Sequence, residues 1–268
     1  MYLFNRRAVP ILLGLGGVLA ALSAGCGSSS TSATARVRGV DMSVNGATTG
    51  VLVNSTAVGG DLSFNQASAY NYVGQGDSVF GYSTSGTYPV TTVNRTPTSP
   101  VVPPNSHLQL NNGSYYSAYL IGRLDVLPLT VTKTDPRFLQ TVVTGDKGAA
   151  VAAYSAPPSG QANLRILNAA PDAGPVDVLI GGKAVFPSAA YPAIPAGIAG
   201  QNVAAVNPVT AYLPQPAGTL SVQVNAAGTS TVLVAPTNVS VSSGGAYTVV
   251  VTEPTIAPTY GLSTKSDD

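Results

Sequence analysis

The sequence predicts an all-β protein built from two tandem antiparallel β-sandwich modules of the immunoglobulin-like kind. Apolar and polar residues alternate, with the period of a strand, in runs such as Val176 to Ile180 and Leu220 to Val224. Charged residues make up only 9% of the chain, and 29 glycines with 21 prolines divide it into short segments. The pattern of the first half also recurs in the second half, which indicates a duplicated module.

The N-terminal segment, residues 1–25, has the pattern of a cleaved signal peptide. Arg6 and Arg7 precede an apolar stretch, and small residues lead to Cys26, the single cysteine of the chain. Leu22-Ser23-Ala24-Gly25-Cys26 resembles the lipobox of bacterial lipoproteins, with Ser23 where those proteins prefer Leu. The resemblance implies that Cys26 becomes the lipidated first residue, carrying acyl chains such as palmitate, and that 26–34 form a flexible tether. An ordinary secretory signal and an uncleaved anchor are the alternatives.

Two copies of one module follow the tether. Ala35 with Ala162 and Val51 with Val178 are both separated by 127 residues. Gly113-Ser114-Tyr115 matches Gly245-Ala246-Tyr247 at a spacing of 132 residues, and Thr132 to Asp135 matches Thr264 to Asp267 at the same spacing. These matches predict modules of about seven strands each at 35–135 and 162–268. Residues 136–161 are predicted to be a connector, in which 139–143 could add an edge strand to either sheet.

The second copy carries three motifs in a fixed order. They are Arg165 to Val178 (RILNAAPDAGPVDV) followed by Gly181-Gly182, then Tyr212 with Pro216 to Thr219, and Gly244 to Val250. This order resembles the bacterial envelope family called domain of unknown function 4397, in which His is usual where Asn168 stands. The first copy is a degenerate match. The resemblance implies a secreted or lipid-anchored β-sandwich and no established activity.

Catalytic and metal-binding residue types are scarce. His107 is the only histidine, and no Asp lies near it in sequence to form a Ser-His-Asp site. One histidine and a lipidated Cys26 cannot supply a zinc site, and Asp172 with Asp177 gives too few oxygens for calcium. The chain has 12 basic and 11 acidic residues, so it lacks the excess of positive charge that is typical of nucleic-acid-binding proteins. We therefore expect a non-enzyme without metal or cofactor.

Tyrosines are concentrated in the first copy. Tyr72, Tyr88 and Tyr116 are predicted as a possible binding surface for a sugar ring or a partner protein, and ordinary core packing is the alternative. The sequence thus favours a non-catalytic, membrane-anchored envelope lipoprotein, most simply of the outer membrane. Its modules would bind polysaccharide or another envelope protein. A periplasmic structural or assembly partner is the first alternative, and an envelope hydrolase is the second.

Overall fold

The computed structural model describes residues 33–44, 48–85, 107–123, 137, 139–148, 155–192, 209–255 and 259–268. The predicted lipidation site Cys26 and the predicted surface residue Tyr88 lie outside these ranges. The described residues form sixteen β-strands and contain no helix long and apolar enough to cross a membrane. The predicted all-β fold class is confirmed.

The described residues of the first module form eight strands in two four-stranded sheets. The strands are β1 (Thr34–Val44), β2 (Thr48–Val53), β3 (Thr56–Leu62), β4 (Asn71–Gly74), β5 (Gly76–Ser85), β6 (His107–Leu110), β7 (Tyr115–Arg123) and β8 (Gln140–Lys147). One sheet has the order β4-β1-β7-β8 and the other the order β3-β2-β5-β6.

The second module repeats this arrangement strand for strand. Its strands are β9 (Gln161–Asn168), β10 (Val176–Ile180), β11 (Lys183–Ala189), β12 (Leu213–Pro216), β13 (Gly218–Ala226), β14 (Val232–Val241), β15 (Ala246–Thr252) and β16 (Gly261–Ser266). The sheet orders are β12-β9-β15-β16 and β11-β10-β13-β14. Neighbouring strands are antiparallel, as predicted, except that β1 with β7 and β9 with β15 are parallel.

The sheets β4-β1-β7-β8 and β12-β9-β15-β16 are here called the inner sheets, and their central strands β1, β7, β9 and β15 are buried on both faces over most of their length. On β1, Ala35 and Val37 point into the core of their own module, whereas Val40 and Met42 share a cluster with Leu167 and Val250 of the second module. Alternate residues of one strand therefore enter different cores. The two modules pack inner sheet against inner sheet, and residues 33–268 form one compact unit.

Strand β8 lies within the segment predicted as a connector and extends the first module to Lys147. It pairs with β7 so that Tyr116 faces Gly145, and in the second module Tyr247 faces Ser266 in the same way. The spacing between the copies is therefore 131 residues at β7, one less than the sequence match predicts. The counterpart of Asp267 is therefore Asp146. The sequence match of Thr264 to Asp267 with residues 132–135, which lie outside the described residues, was wrong. A slip of one residue matters because it moves each side chain to the opposite face of the strand.

Candidate functional site

Four side chains form a row across the inner sheet of the first module. Tyr72 on β4 is the Cα partner of Arg36 on β1, Arg36 is the partner of Tyr115 on β7, and Tyr115 is the partner of Lys147 on β8. Cross-strand partners share one face of a sheet, so Tyr72, Arg36 and Tyr115 lie side by side. The register of β7 with β8 shifts between Tyr115 and Tyr116, and this irregularity brings Lys147 opposite Tyr115, about 14 Å or three interstrand spacings from Tyr72. We call Tyr72, Arg36, Tyr115 and Lys147 the aromatic–basic row.

The two aromatic rings of the row hold the Arg36 guanidinium between them. Its central carbon lies 4.8 Å from the ring centroid of Tyr72 and 4.9 Å from that of Tyr115. Its Nη2 donates a hydrogen bond of 2.9 Å to the Tyr72 hydroxyl. Both contacts are cation–π interactions, and together they restrict the rotamers of a long side chain. Tyr72 is nevertheless 70% exposed, so the row is open to solvent.

The positive charge of the row has no carboxylate partner in the part of the chain that the structure describes. Arg38, Arg123, Arg137 and Arg165 each form a salt bridge with an aspartate. Arg36 differs from these four arginines because, among the described residues, its guanidinium meets two aromatic rings and a phenol hydroxyl and no carboxylate. Lys147 is exposed and has no described acid within salt-bridge distance.

Tyr70 connects the row to the interior. Its ring meets that of Tyr115 edge-on, with centroids 5.1 Å apart and planes at 82°. Its hydroxyl donates a hydrogen bond of 2.8 Å to Asp146, which is fully buried, and the Arg38 guanidinium lies over its ring. Tyr115 is therefore supported by a residue that is itself fixed by a buried carboxylate.

Asp146 belongs to a buried network between the inner sheets. Arg165 donates from Nη2 to Asp146 at 2.7 Å and from Nη1 to the carbonyl of Gly145 at 2.7 Å. Reciprocally, Arg38 donates from Nη2 to Asp267 at 3.0 Å and from Nη1 to the carbonyl of Ser266 at 2.6 Å. Each module thus contributes an arginine that binds an aspartate and a backbone carbonyl of the other module, as in a two-fold symmetric interface.

Within each module the same side chains complete this network. The Nε of Arg38 donates to Ser117 at 2.6 Å, and the Nε of Arg165 donates to Thr248 at 2.8 Å. Tyr212 donates to Asp267 at 2.7 Å, as Tyr70 does to Asp146. We call Arg38, Tyr70, Ser117, Asp146, Arg165, Tyr212, Thr248 and Asp267 the interface network.

Burial and the charge of Asp146 raise the pKa of Asp267 to about 6. A raised pKa in a cleft often marks a catalytic acid, but ion-pair networks also cause such shifts. Asp267 is completely buried and accepts hydrogen bonds from Arg38, Tyr212 and Thr248. The interface network therefore serves to hold the modules together.

A second polar cluster joins the end of β7 to the Pro-Asp turn of the second module. Arg123 and Arg137 bind Asp172 at 2.6 and 3.0 Å, and the Asp172 backbone N–H donates to Glu253 at 3.0 Å. Burial opposes ionisation of Asp172, but hydrogen bonds from Arg137 and Arg123 outweigh it and lower its pKa. Burial raises the pKa of Glu253, the only glutamate of the chain, to about 7.

The two aspartates weighed for calcium have other partners. Asp172 accepts from the two arginines, and Asp177 accepts from the backbone N–H groups of Ser188 and Gly228, each at 2.8 Å. The described residues contain no group of three His, Cys, Asp or Glu side chains placed to hold a metal ion.

The predicted surface residues Tyr72 and Tyr116 differ in exposure. Tyr72 is exposed, but Tyr116 is a core residue with 3% exposure, and its hydroxyl accepts from the N–H of Asn111. Tyr116 therefore cannot belong to an exposed binding surface. Its counterpart Tyr247 accepts from Ser242 in the same way, which explains why both copies have Tyr here. The backbone of His107, the first residue of β6, pairs with that of Val79 in β5.

Sequence reasoning did not find Arg36, Tyr115 and Lys147 as partners of Tyr72. At the corresponding positions the second module has Pro214, Asn163, Ala246 and, after β16, Asp268. An alignment of the two copies at the correct spacing would have indicated these residues, because Arg36, Tyr115 and Lys147 then align with Asn163, Ala246 and Asp268. The aromatic–basic row is thus a feature of the first module alone.

Residues 162–268 match the family model described as Domain of unknown function (DUF4397). This match coincides with the second module and confirms the resemblance of its three motifs. No curated protein matches the chain.

Proposed function

We propose that this protein is a non-catalytic, lipid-anchored component of the bacterial cell envelope, and that the aromatic–basic row of its first module is its binding site. Acyl chains on Cys26 would hold the protein at the membrane, most simply the outer membrane, and residues 26–34 would give the modules reach. The observation that carries the binding role is the exposed Tyr72 ring beside Arg36. Exposed tyrosine offers a large, rigid contact area with a polar tip, which suits sugar rings and protein partners.

The interface network supports this proposal because it makes the site rigid. On the same face of β1 as Arg36, Arg38 bonds to Asp267 of the second module, and Tyr70 links the row to buried Asp146. A preorganised site loses less conformational entropy when it binds. The second module then acts as the support for a surface presented by the first.

The binding role is tested with Tyr72→Ala in affinity electrophoresis through gels that contain a panel of polysaccharides. Because Tyr72 is exposed, we expect loss of retardation in at least one gel without a change in melting temperature. Leu213→Ala is the matched control, since Leu213 is 38% exposed on β12, the strand that corresponds to β4. Equal retardation of the Tyr72→Ala variant in every gel that retards the wild type would contradict the proposal.

The location is tested by protease treatment of intact cells that carry a tagged copy, with a periplasmic protein as the leakage control. Cleavage of the modules while the control survives would support binding at the cell surface. Protection until the envelope is opened would place the modules in the periplasm, and a protein ligand would then replace polysaccharide as the expected partner.

A further inference from the structure

We infer that the aromatic–basic row recognises a carboxylated sugar within an acidic polysaccharide. This inference rests on the proposed binding role of the row and specifies its ligand. Among the described residues, each of the other arginines forms a salt bridge with an aspartate, whereas Arg36 does not. Arg36 is held in place by two rings and carries a charge that no described acid neutralises.

The geometry of the row favours a carboxylate as the neutralising group. The rings of Tyr72 and Tyr115 lie near the guanidinium, and among the described residues its only hydrogen bond is to the Tyr72 hydroxyl, so other N–H groups of the guanidinium are left for a ligand. A planar guanidinium edge matches the two oxygens of a carboxylate and binds them with paired hydrogen bonds. The hydrogen bond from Nη2 to the Tyr72 hydroxyl fixes the plane of this edge.

The exposed Tyr72 ring favours a sugar as the carrier of that carboxylate. Sugar rings have apolar C–H faces that stack on aromatic rings, while their hydroxyls remain in water. Lys147 adds a second positive charge at the far end of the row. A polymer with a repeated acidic sugar can contact Tyr72, Arg36 and Lys147 together, which a single small anion cannot do.

The second module has the opposite chemistry at the same positions. Asn163 donates its side-chain N–H to the carbonyl of Ser155, Ala246 has no ring, and Asp268 replaces the cation. An acidic polymer would meet no arginine there and would be repelled by the aspartate. The acidic ligand therefore binds the first module.

The test compares polygalacturonate with its fully methyl-esterified form, which has the same backbone without the charge, by calorimetry on the purified full chain. A charge-assisted hydrogen bond contributes about 1.5–3 kcal/mol, so we expect the acid form to bind about 10-fold to 100-fold more tightly. Arg36→Asn, which introduces the residue of the second module, should abolish this preference. Arg36→Lys should keep part of it and shows whether the fold tolerates change at this position.

The control variant is Lys183→Ala, which removes an exposed cation at the β10–β11 hairpin without touching the row. It should leave the preference for the acid form unchanged. Tyr72→Ala should weaken binding of both polymers. Equal affinity for acid and ester, or a preference that survives Arg36→Asn, would overturn the inference even if Tyr72→Ala still weakens binding and so supports the proposed site.

Two further outcomes also overturn it. If inorganic phosphate displaces the polymer at lower concentration than galacturonate monomer does, the anion recognised is a phosphate. If Tyr72→Ala has no effect on either polymer, the row is not the binding site, and the proposed function fails together with the inference.

Discussion

Arg165 is the side chain whose loss should damage the pairing of the two modules most. It is 2% exposed, it donates hydrogen bonds to Thr248, Gly145 and Asp146, and its guanidinium lies 4.5 Å from the ring centroid of Tyr212. We consider Arg165→Met, which keeps much of the volume of the side chain and removes its charge.

The expected loss of stability depends on the contacts that Asp146 keeps after this substitution. Asp146 is completely buried and keeps its hydrogen bonds from Tyr70 and Ser117, but it loses the arginine of the other module. Removing one partner of a buried ion pair costs about 3–5 kcal/mol, because the other charge is left without compensation. We expect Arg165→Met to lower the free energy of unfolding by this amount.

Urea unfolding followed by circular dichroism measures the effect, since the chain has no tryptophan for fluorescence. The control is Arg137→Met, because Arg137 also pairs with an aspartate but its side chain is 42% exposed. Exposed ion pairs contribute about 0–1 kcal/mol. Adding Asp146→Asn to Arg165→Met should recover part of the loss, because it removes the uncompensated charge. A cost for Arg165→Met no larger than that of the control would refute the reasoning.

Three other outcomes are expected. Tyr116→Ala should lower the free energy of unfolding by about 3–5 kcal/mol because Tyr116 is buried, whereas exposed Tyr72→Ala should change it by less than about 0.5 kcal/mol; equal losses in urea unfolding would contradict this. The raised pKa of Glu253 should make stability fall as pH rises from about 4.5 through about 7, since the folded state binds the proton more tightly. Glu253→Gln should reduce this fall, most clearly above pH 6, because the raised pKa of Asp267, about 6, contributes the rest below it; an unchanged profile would exclude Glu253 as a source. Cys26→Ser should move the protein from the membrane fraction to the soluble fraction, and unchanged retention would argue against lipidation.

The sequence predicted the strands of each module because alternation follows directly from burial of one face. The hairpin at Gly181-Gly182 was also predictable, and both glycines have the positive φ angles, 58° and 80°, that a two-residue turn needs. Packing between the modules was not predictable in this way. Arg38 follows Val37 on β1 and has the pattern of a solvent-facing residue, yet it is 7% exposed.

The reason is that the partner of Arg38 is remote in sequence. Asp267 lies 229 residues away, and no local pattern indicates that two such residues meet. The same limit affected the match between the copies, because the resemblance of Gly113-Ser114-Tyr115 to Gly245-Ala246-Tyr247 suggested a spacing that the strand pairing changes by one residue. That slip is sufficient to place Tyr116 on the wrong face of β7 and to hide the correspondence between Asp146 and Asp267.

The two copies have diverged where the interface permits it. The interface network has Arg, Asp and Tyr at equivalent positions in both modules. Ser117 in the first module corresponds to Thr248 in the second, and this difference keeps the hydroxyl that accepts from the arginine Nε. Reciprocal contacts explain this, because loss of either arginine leaves a buried aspartate of the other module without its partner. Arg36 lies only two residues before Arg38 on the same face of β1, but its described contacts are within its own module. Residues of the aromatic–basic row were therefore free to change without disturbing the pairing, and all four differ from their counterparts.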